Sequence, residues 1–251
     1  MSLRGLAWSL KNRVNKLPGG YSLFRKLTTA RGEGKVYKIW FGPMKGFKWS
    51  RYNSLPFWYH LGLWEPQATA LIGEHLHPGV TFYDVGANAG YHTIYAARAV
   101  GPAGRVVAIE PDPDTAAVLR EQVALNALGN VVILEAAVSS ESGSATFQRG
   151  VNTLTSALGA SGGEPFTVRT VTLDELADMY GPPALIKMDV EGGEQQALLG
   201  GEQLFTSVCK PVILLSTHGE DLHVWCQRWL ADHDYHLAPT PGMEHMLVGV
   251  S

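Results

Sequence analysis

The chain has 251 residues, 45% of them hydrophobic and 17% charged, with 28 glycines and a mean hydropathy of −0.01. These values exclude disordered, collagen-like and membrane-spanning chains and describe a globular protein of one large domain with an extension, or of two small domains. The net charge of −3 is unevenly spread: residues 1–51 carry twelve Lys or Arg against the single acid Glu33, and residues 52–251 carry eight against twenty-two Asp or Glu. A basic leader and an acidic body point to an anionic partner or surface. Two cysteines, Cys209 and Cys226, cannot build a disulfide framework and suit a reducing, cytoplasmic location. No run reaches the ~20 apolar residues of a membrane span, and the N-terminus lacks the pattern of a signal peptide.

In chain order, Leu3, Leu6, Ala7, Leu10, Val14 and Leu17 recur at helical spacing, with Arg4, Lys11, Arg13 and Lys16 off that stripe. The pattern predicts a basic amphipathic helix ended by Pro18-Gly19-Gly20, docked on the body, on a second copy of the chain or on a membrane surface. Residues 35–49 form two β-prone runs around Gly42-Pro43-Met44-Lys45-Gly46, a hairpin pattern. Tyr52, Phe57, Trp58, Tyr59 and Trp64 form an aromatic cluster that suits a core or a pocket wall. Residues 1–64 read as an extension and 65–251 as the main domain.

From Pro66 the chain alternates helices and strands. Helices are expected at 66–76, 91–100, 113–127, 173–180, 194–205 and 222–233. Strands are expected at 81–85, 105–110, 131–137, 184–189 and 211–216. A β excursion is expected over 144–172, and a closing hairpin at 235–237 and 245–250. The alternation implies a parallel sheet covered on both faces, and the hairpin adds one antiparallel strand.

The strongest chemical signal is Asp84-Val85-Gly86-Ala87-Asn88-Ala89-Gly90, between the first strand of this series and its helix. Glycines there allow a tight turn and close approach to a ligand, and the helix N-terminus presents unpaired amides. Glu110 ends the next strand, followed by Pro111-Asp112. An acid in that place can accept hydrogen bonds from ribose hydroxyls, so the pair of features reads as nucleoside binding. Asn88 stands where a dinucleotide fingerprint requires its second glycine, and no P-loop Lys-Ser/Thr is present. A carrier without a pyrophosphate is therefore expected.

These residues, with Ile186-Lys187-Met188-Asp189-Val190-Glu191-Gly192-Gly193-Glu194, Asn126, and the lead-in Gly62-Leu63-Trp64-Glu65-Pro66, resemble the FkbM family of S-adenosylmethionine-dependent methyltransferases. The resemblance spans roughly residues 35–220, and its most specific part is the Asp-Val-Glu-Gly segment. Two departures stand out: Gly193 replaces the family's usual alanine, and Ser216 precedes Thr217-His218 where many members have a glutamate. The second removes an acid that would favour a metal, and none is expected.

The resemblance implies a class I methyltransferase fold, a Rossmann-like seven-stranded sheet with its last strand antiparallel. It places Asp84, Gly86, Asn88, Gly90 and Thr93 around the methionine end of the cofactor, with Ala87 in the same turn. Glu110 would hold the ribose with Pro111 beside it, Ala137 would lie near the adenine, and Glu65 would approach from the preceding helix. Asp189 would face the methionine amino group or the acceptor. A hydroxyl acceptor needs a base, and His218, at the end of the fifth strand, is the first candidate, with Asp189 the alternative. Lys187, in a strand covered on both faces, needs a carboxylate partner among Asp189, Glu191 and Glu194; Lys187 and Glu191 complete the catalytic group.

Asn152, Thr153 and Ser156 could touch ligand or form an ordinary loop, and His92 is the other histidine placed near the cofactor. The expected activity is O-methylation of a sugar or polyketide-like small molecule, one that the basic leader would allow to be anionic, without nucleic acid. The alternatives are a nicotinamide-dependent oxidoreductase and a non-catalytic binding module.

Overall fold

The computed structural model describes residues 34–40, 42–52, 55, 59, 61–148, 157–158, 165–240, 243 and 245–250. The basic helix at 1–20 and the loop residues Asn152, Thr153 and Ser156 lie outside them.

A short antiparallel hairpin comes first, β1 (Val36–Lys38) and β2 (Lys48–Ser50), with Lys38 opposite Lys48. Then follow α1 (Pro66–His75), β3 (Thr81–Val85), α2 (Tyr91–Val100), β4 (Arg105–Ile109), α3 (Pro113–Leu125) and β5 (Val131–Leu134). A four-stranded excursion comprises β6 (Ala137–Val138), β7 (Gly143–Gln148), β8 (Ala157–Leu158) and β9 (Pro165–Val171). The chain continues through α4 (Leu173–Tyr180), β10 (Leu185–Met188), α5 (Glu194–Leu199), α6 (Glu202–Thr206), β11 (Val212–Ser216), α7 (Glu220–Asp232), β12 (His236–Ala238) and β13 (Met246–Val250).

The main sheet has the order β12-β13-β11-β10-β3-β4-β5. Its strands are parallel except β13, which is antiparallel to both of its neighbours. This is the class I methyltransferase sheet. Side chains alternate across it. Tyr83, Val107, Ile186 and Ile213 join the core under α4–α7. Phe82, Val106, Leu185 and Leu214 join the core under α1 and α2. The N-terminal hairpin packs Ile39, Phe47 and Trp49 against Tyr59, Tyr91 and Ile94. Two side-chain amides, one in α3 and one at its C-terminal cap, fasten it. Gln122 both accepts from and donates to the Ser50 backbone (2.9 and 3.1 Å), and Asn126 does the same at Lys48 (2.9 and 2.8 Å).

Two elements depart from expectation. The third strand stops at Leu134, and Ala137-Val138 leave the main sheet to pair in parallel with β9. Residues 194–205 are two helices, because the backbone at Gly200 passes so close to Ser139 that a Cβ would sit 2.1 Å from its carbonyl oxygen. Asp174 then caps the second of them, accepting from the N–H groups of Gln203 (3.1 Å) and Leu204 (2.8 Å).

Candidate active site

The carboxyl ends of β3, β4, β10 and β11 open on a cavity of about 710 Å³. Crevices for ligands lie there in open α/β sheets. Glu65, Gly86, Ala87, Asn88, Glu110, Pro111, Ala137, Lys187, Asp189, Glu191 and His218 all line it. Tyr59, Trp64 and Tyr91 form an aromatic wall, and Phe147 and His245 reach in from the excursion and the last hairpin. The wall is also core, since Trp49 and Tyr91 pack on Tyr59 at centroid distances of 5.5 and 5.3 Å.

The turn after β3 is built by two constraints. Gly86 has φ +75°, and a Cβ there would lie 1.9 Å from the carbonyl oxygen of Asp189. Only glycine meets both conditions. Asn88 also holds a positive φ, of 51°. Ahead of the helix N-terminus, where free amides are expected, every N–H of the turn itself has a partner. Gly86 and Ala87 both donate to Ile109 O (2.9 and 3.0 Å), Asn88 donates to Glu110 Oε2 (2.8 Å), Ala89 to Asn88 Oδ1 and Gly90 to Ala87 O. The turn offers a fitted surface rather than a set of anion-binding donors, which suits a carrier without a pyrophosphate.

Three expected residues stand behind this surface rather than in it. Asp84, Gly90 and Thr93 are absent from the lining. Asp84 and Thr93 are fully buried, and Thr93 donates its hydroxyl to Asp84 Oδ2 at 2.6 Å. A Cβ on Gly90 would strike Leu119. They shape the turn from beneath.

Glu110 crosses from the end of β4 to that turn, taking one N–H on each oxygen, from Asn88 and from Asp112 (3.0 Å). Burial pushes its carboxyl up to about 7, against the two backbone bonds. Each oxygen keeps a lone pair for a ligand.

Lys187 is nearly buried, as its strand position requires, and its partners correct the expectation in part. Its ammonium lies 3.5 Å from Asp189 Oδ2 and donates to Gly86 O at 3.3 Å. Its further partner is Asp84 (4.0 Å), directly beside it in the β3–β10 register, and not Glu191 or Glu194. Burial pulls the ammonium down, but the charges of Asp189 and Asp84 outweigh it and hold the group above its ordinary value. Burial raises the Asp84 carboxyl despite Lys187 and Thr93.

Glu191 and Glu194 belong instead to His218. Its Nδ1 lies 2.7 Å from Oε1 of the fully buried Glu194, and its Nε2 faces Glu191 Oε2 (3.4 Å) and Asp189 Oδ1 (3.6 Å). The bond to Glu194 raises the imidazole above its usual value, with burial opposing and the surrounding carboxylates adding. Glu194 was expected near Asp189, Glu191 and His218, as a partner of Lys187 or a cation ligand; the structure gives it instead the direct bond to His218, 24 residues on. His92 lies in the first turn of α2 and lines the cavity. Burial and the charge of Lys187 keep it well below its ordinary value; among the described residues its Nε2 has no hydrogen-bond partner and faces Glu65 Oε2 at 3.9 Å.

The donor set fits S-adenosylmethionine. A close-fitting backbone turn, an acid with free lone pairs 26 residues beyond Asp84, and the lining carboxylates Glu65, Asp189 and Glu191 match an adenosyl group joined to a cationic sulfonium and amine. Asp189, Glu191 and His218 also offer ligand atoms within 4.8 Å of one another. That set could take a divalent cation only in competition with Lys187.

A family model described as the FkbM methyltransferase domain matches residues 84–237. The hexuronic acid methyltransferase AglP of Haloferax volcanii is 30% identical over 146 residues, 57% of this chain and 59% of AglP, so the chain spans less than two thirds of that relative. An arsenite methyltransferase of Halobacterium salinarum is 38% identical over 71 residues, 28% of this chain and 17% of that protein. Among solved structures, a SAM-dependent O-methyltransferase from Thermotoga maritima aligns with a TM-score of 0.46 and 14% identity, over 90% of this chain and 75% of that one. No helix among the described residues is long and apolar enough to cross a membrane. The family match takes in more than half of the chain and speaks against the nicotinamide-dependent reading: the protein belongs to the FkbM methyltransferase family.

Proposed function

We propose that the enzyme methylates a hydroxyl group of a sugar or similarly hydroxylated small molecule, with His218 as general base. The observation that carries this reading is the Glu194–His218 pair. A buried carboxylate bonded to Nδ1 leaves Nε2 as the ring nitrogen facing the cavity. That arrangement orients an imidazole to take a proton from a nucleophile. The similarity to AglP, named for a hexuronic acid, supports a sugar as the acceptor class.

S-adenosylmethionine supplies, when bound, a methyl group already activated by its sulfonium. What the chain must add is alignment, which can lower a barrier by about 7–11 kcal/mol, and proton removal, worth about 10²–10⁴-fold. In this reading Glu110 accepts from the ribose hydroxyls, and the Gly86–Asn88 backbone packs against the methionine portion. Pro111 and Ala137 flank the base, while Glu65 and Asp189 face the positively charged groups. Lys187 orients Asp189. His218 Nε2 takes the acceptor proton, and Glu194 and Glu191 stabilise the imidazolium that results. The aromatic wall keeps water from the reacting atoms.

The test is a panel of neutral sugars and uronic acids incubated with radiolabelled cofactor, comparing the native chain with His218→Ala. Label transferred to a hydroxyl by the native chain, with a loss of turnover of about 10²-fold or more in the variant at unchanged cofactor affinity, is the expected result. Transfer to nitrogen, carbon or sulfur, or full turnover by His218→Ala, overturns the assignment.

A further inference from the structure

The outer face of the N-terminal hairpin has no role in the chemistry above, and its composition is unusual. Side chains alternate along β1, so Tyr37 and Ile39 turn inward while Val36, Lys38 and Trp40 turn outward, with Trp40 69% exposed and Val36 48%. Lys38 stands directly opposite Lys48, and both are exposed. Like charges facing each other across a strand pair are destabilising. No Asp or Glu occurs between residues 34 and 52. Among the described residues, Lys35, Lys38, Lys45 and Lys48 form no ion pair.

This face is held rigidly. Arg98 of α2 stacks over the Phe47 ring at 3.9 Å and donates to the carbonyls of Pro43 (2.6 Å) and Lys45 (3.1 Å) in the hairpin turn. Gln122 and Asn126 pin β2 from the other side. A fixed platform that presents a cross-strand lysine pair and an unburied tryptophan has unspent positive charge and unspent apolar surface together.

We infer that the outward face of the hairpin docks on the surface of an anionic phospholipid bilayer, Trp40 and Val36 entering the interfacial region and the lysines meeting the headgroups. Charge complementarity and the two exposed apolar side chains select this occupant: a nucleic-acid duplex would use the lysines and leave Trp40 and Val36 in water, and a single strand, which could stack a base on Trp40, would still leave Val36 uncovered. Tryptophan favours the membrane interface because its ring is apolar and its N–H polar, and lysines extend their ammonium groups to the headgroups while their stems cover apolar surface. Each basic residue near an anionic surface strengthens binding about fivefold. The inward face of the same hairpin packs through Trp49 on Tyr59 and Tyr91, which line the cavity. Docking therefore sets the aromatic wall of the active site one layer from the lipid. The inference does not depend on the identity of the acceptor.

The full chain is sedimented with vesicles of phosphatidylcholine alone and of phosphatidylcholine mixed with phosphatidylglycerol, at low and high salt. The expected result is binding to the mixed vesicles only, weakened by salt. Lys38→Glu, which sets opposite charges across the strand pair and so does not weaken the hairpin, should lower the partition coefficient at least tenfold while leaving affinity for S-adenosylmethionine unchanged. Trp40→Ser should lower binding as well, and brominated lipid should quench native fluorescence more than that of Trp40→Phe. Binding that is equal in the native chain and Lys38→Glu overturns the inference, because it assigns lipid affinity to another part of the chain. No binding to either vesicle, or retention on single-stranded oligonucleotide without retention on vesicles, overturns it too.

Discussion

Nδ1 of His218 lies 2.7 Å from Oε1 of Glu194, whose side chain is completely buried. That contact joins the end of β11 to the first turn of α5 and, in the proposed mechanism, makes Nδ1 the donor to Glu194 and Nε2 the nitrogen that takes the proton. Glu194 is thus a positioning residue, with a measurable consequence. As a base His218 must be neutral, so kcat/KM rises with pH through its pKa, which the carboxylate holds above 6.5. Glu194→Gln removes the largest cause of that elevation. The acid limb of the profile should move to lower pH while kcat at its plateau falls about tenfold or more, and KM for the cofactor should stay within about twofold. A variant with an unmoved limb would make Glu194 merely structural.

Glu110 predicts a pH-dependent stability of opposite sense to the usual paired carboxylate. Its pKa rises from 4.5 to about 7 on folding, so the folded state binds more protons between those values. Stability is therefore fully present below pH 4.5 and declines as pH rises toward 7, by on the order of 3 kcal/mol in total. Urea midpoints measured at about pH 5 and about pH 8 should differ for the native chain and differ much less for Glu110→Gln. The same variant should raise KM for S-adenosylmethionine about tenfold or more, since the ribose hydroxyls lose a charged acceptor.

Gly86→Ala would place a methyl group on the Asp189 carbonyl at a φ of +75°. Left-handed backbone alone costs about 1–2 kcal/mol for alanine, and the overlap adds to it. A fall in Tm of at least about 4 °C and loss of cofactor binding by calorimetry are expected.

Lys187→Met would leave Asp84 and Asp189 facing each other without their shared cation. Removing one member of a buried ion pair typically costs about 3–5 kcal/mol. The variant should unfold at lower urea concentration and recover stability on mild acidification, because protonation of Asp84, already raised by burial, then relieves the repulsion.

A chelator tests the carboxylate–histidine cluster. Lys187, 3.5 Å from Asp189, supplies the positive charge that a cation at Asp189, Glu191 and His218 would otherwise bring. Dialysis against EDTA should leave kcat within about twofold of its starting value, measured by transfer of labelled methyl.

Local chemistry made much of this legible in the amino-acid sequence. Asp84 through Gly90 announced a strand, a tight turn and a helix, because glycines at a strand end have few other uses. Glu110 announced its position at the end of the following strand. The nearly continuous apolar run around Lys187 in Leu185–Met188 required a partner for it, since a charge in a twice-covered strand cannot stay alone. The sequence of helices and strands implied the parallel sheet, and Tyr235–Val250 its antiparallel end.

Other relationships came only with the tertiary structure, because they join residues that no local pattern connects. The register of β3 against β10 set Asp84 beside Lys187 and freed Glu191 and Glu194 for His218. The close approach of Gly200 to Ser139 fell where one helix was expected to run on, and Ala137-Val138 paired with β9 in a second sheet. Periodicity along a chain reports which face of an element is buried. Which carboxylate meets which cation depends on strand order and register, and these are decided by long-range packing between elements far apart in sequence.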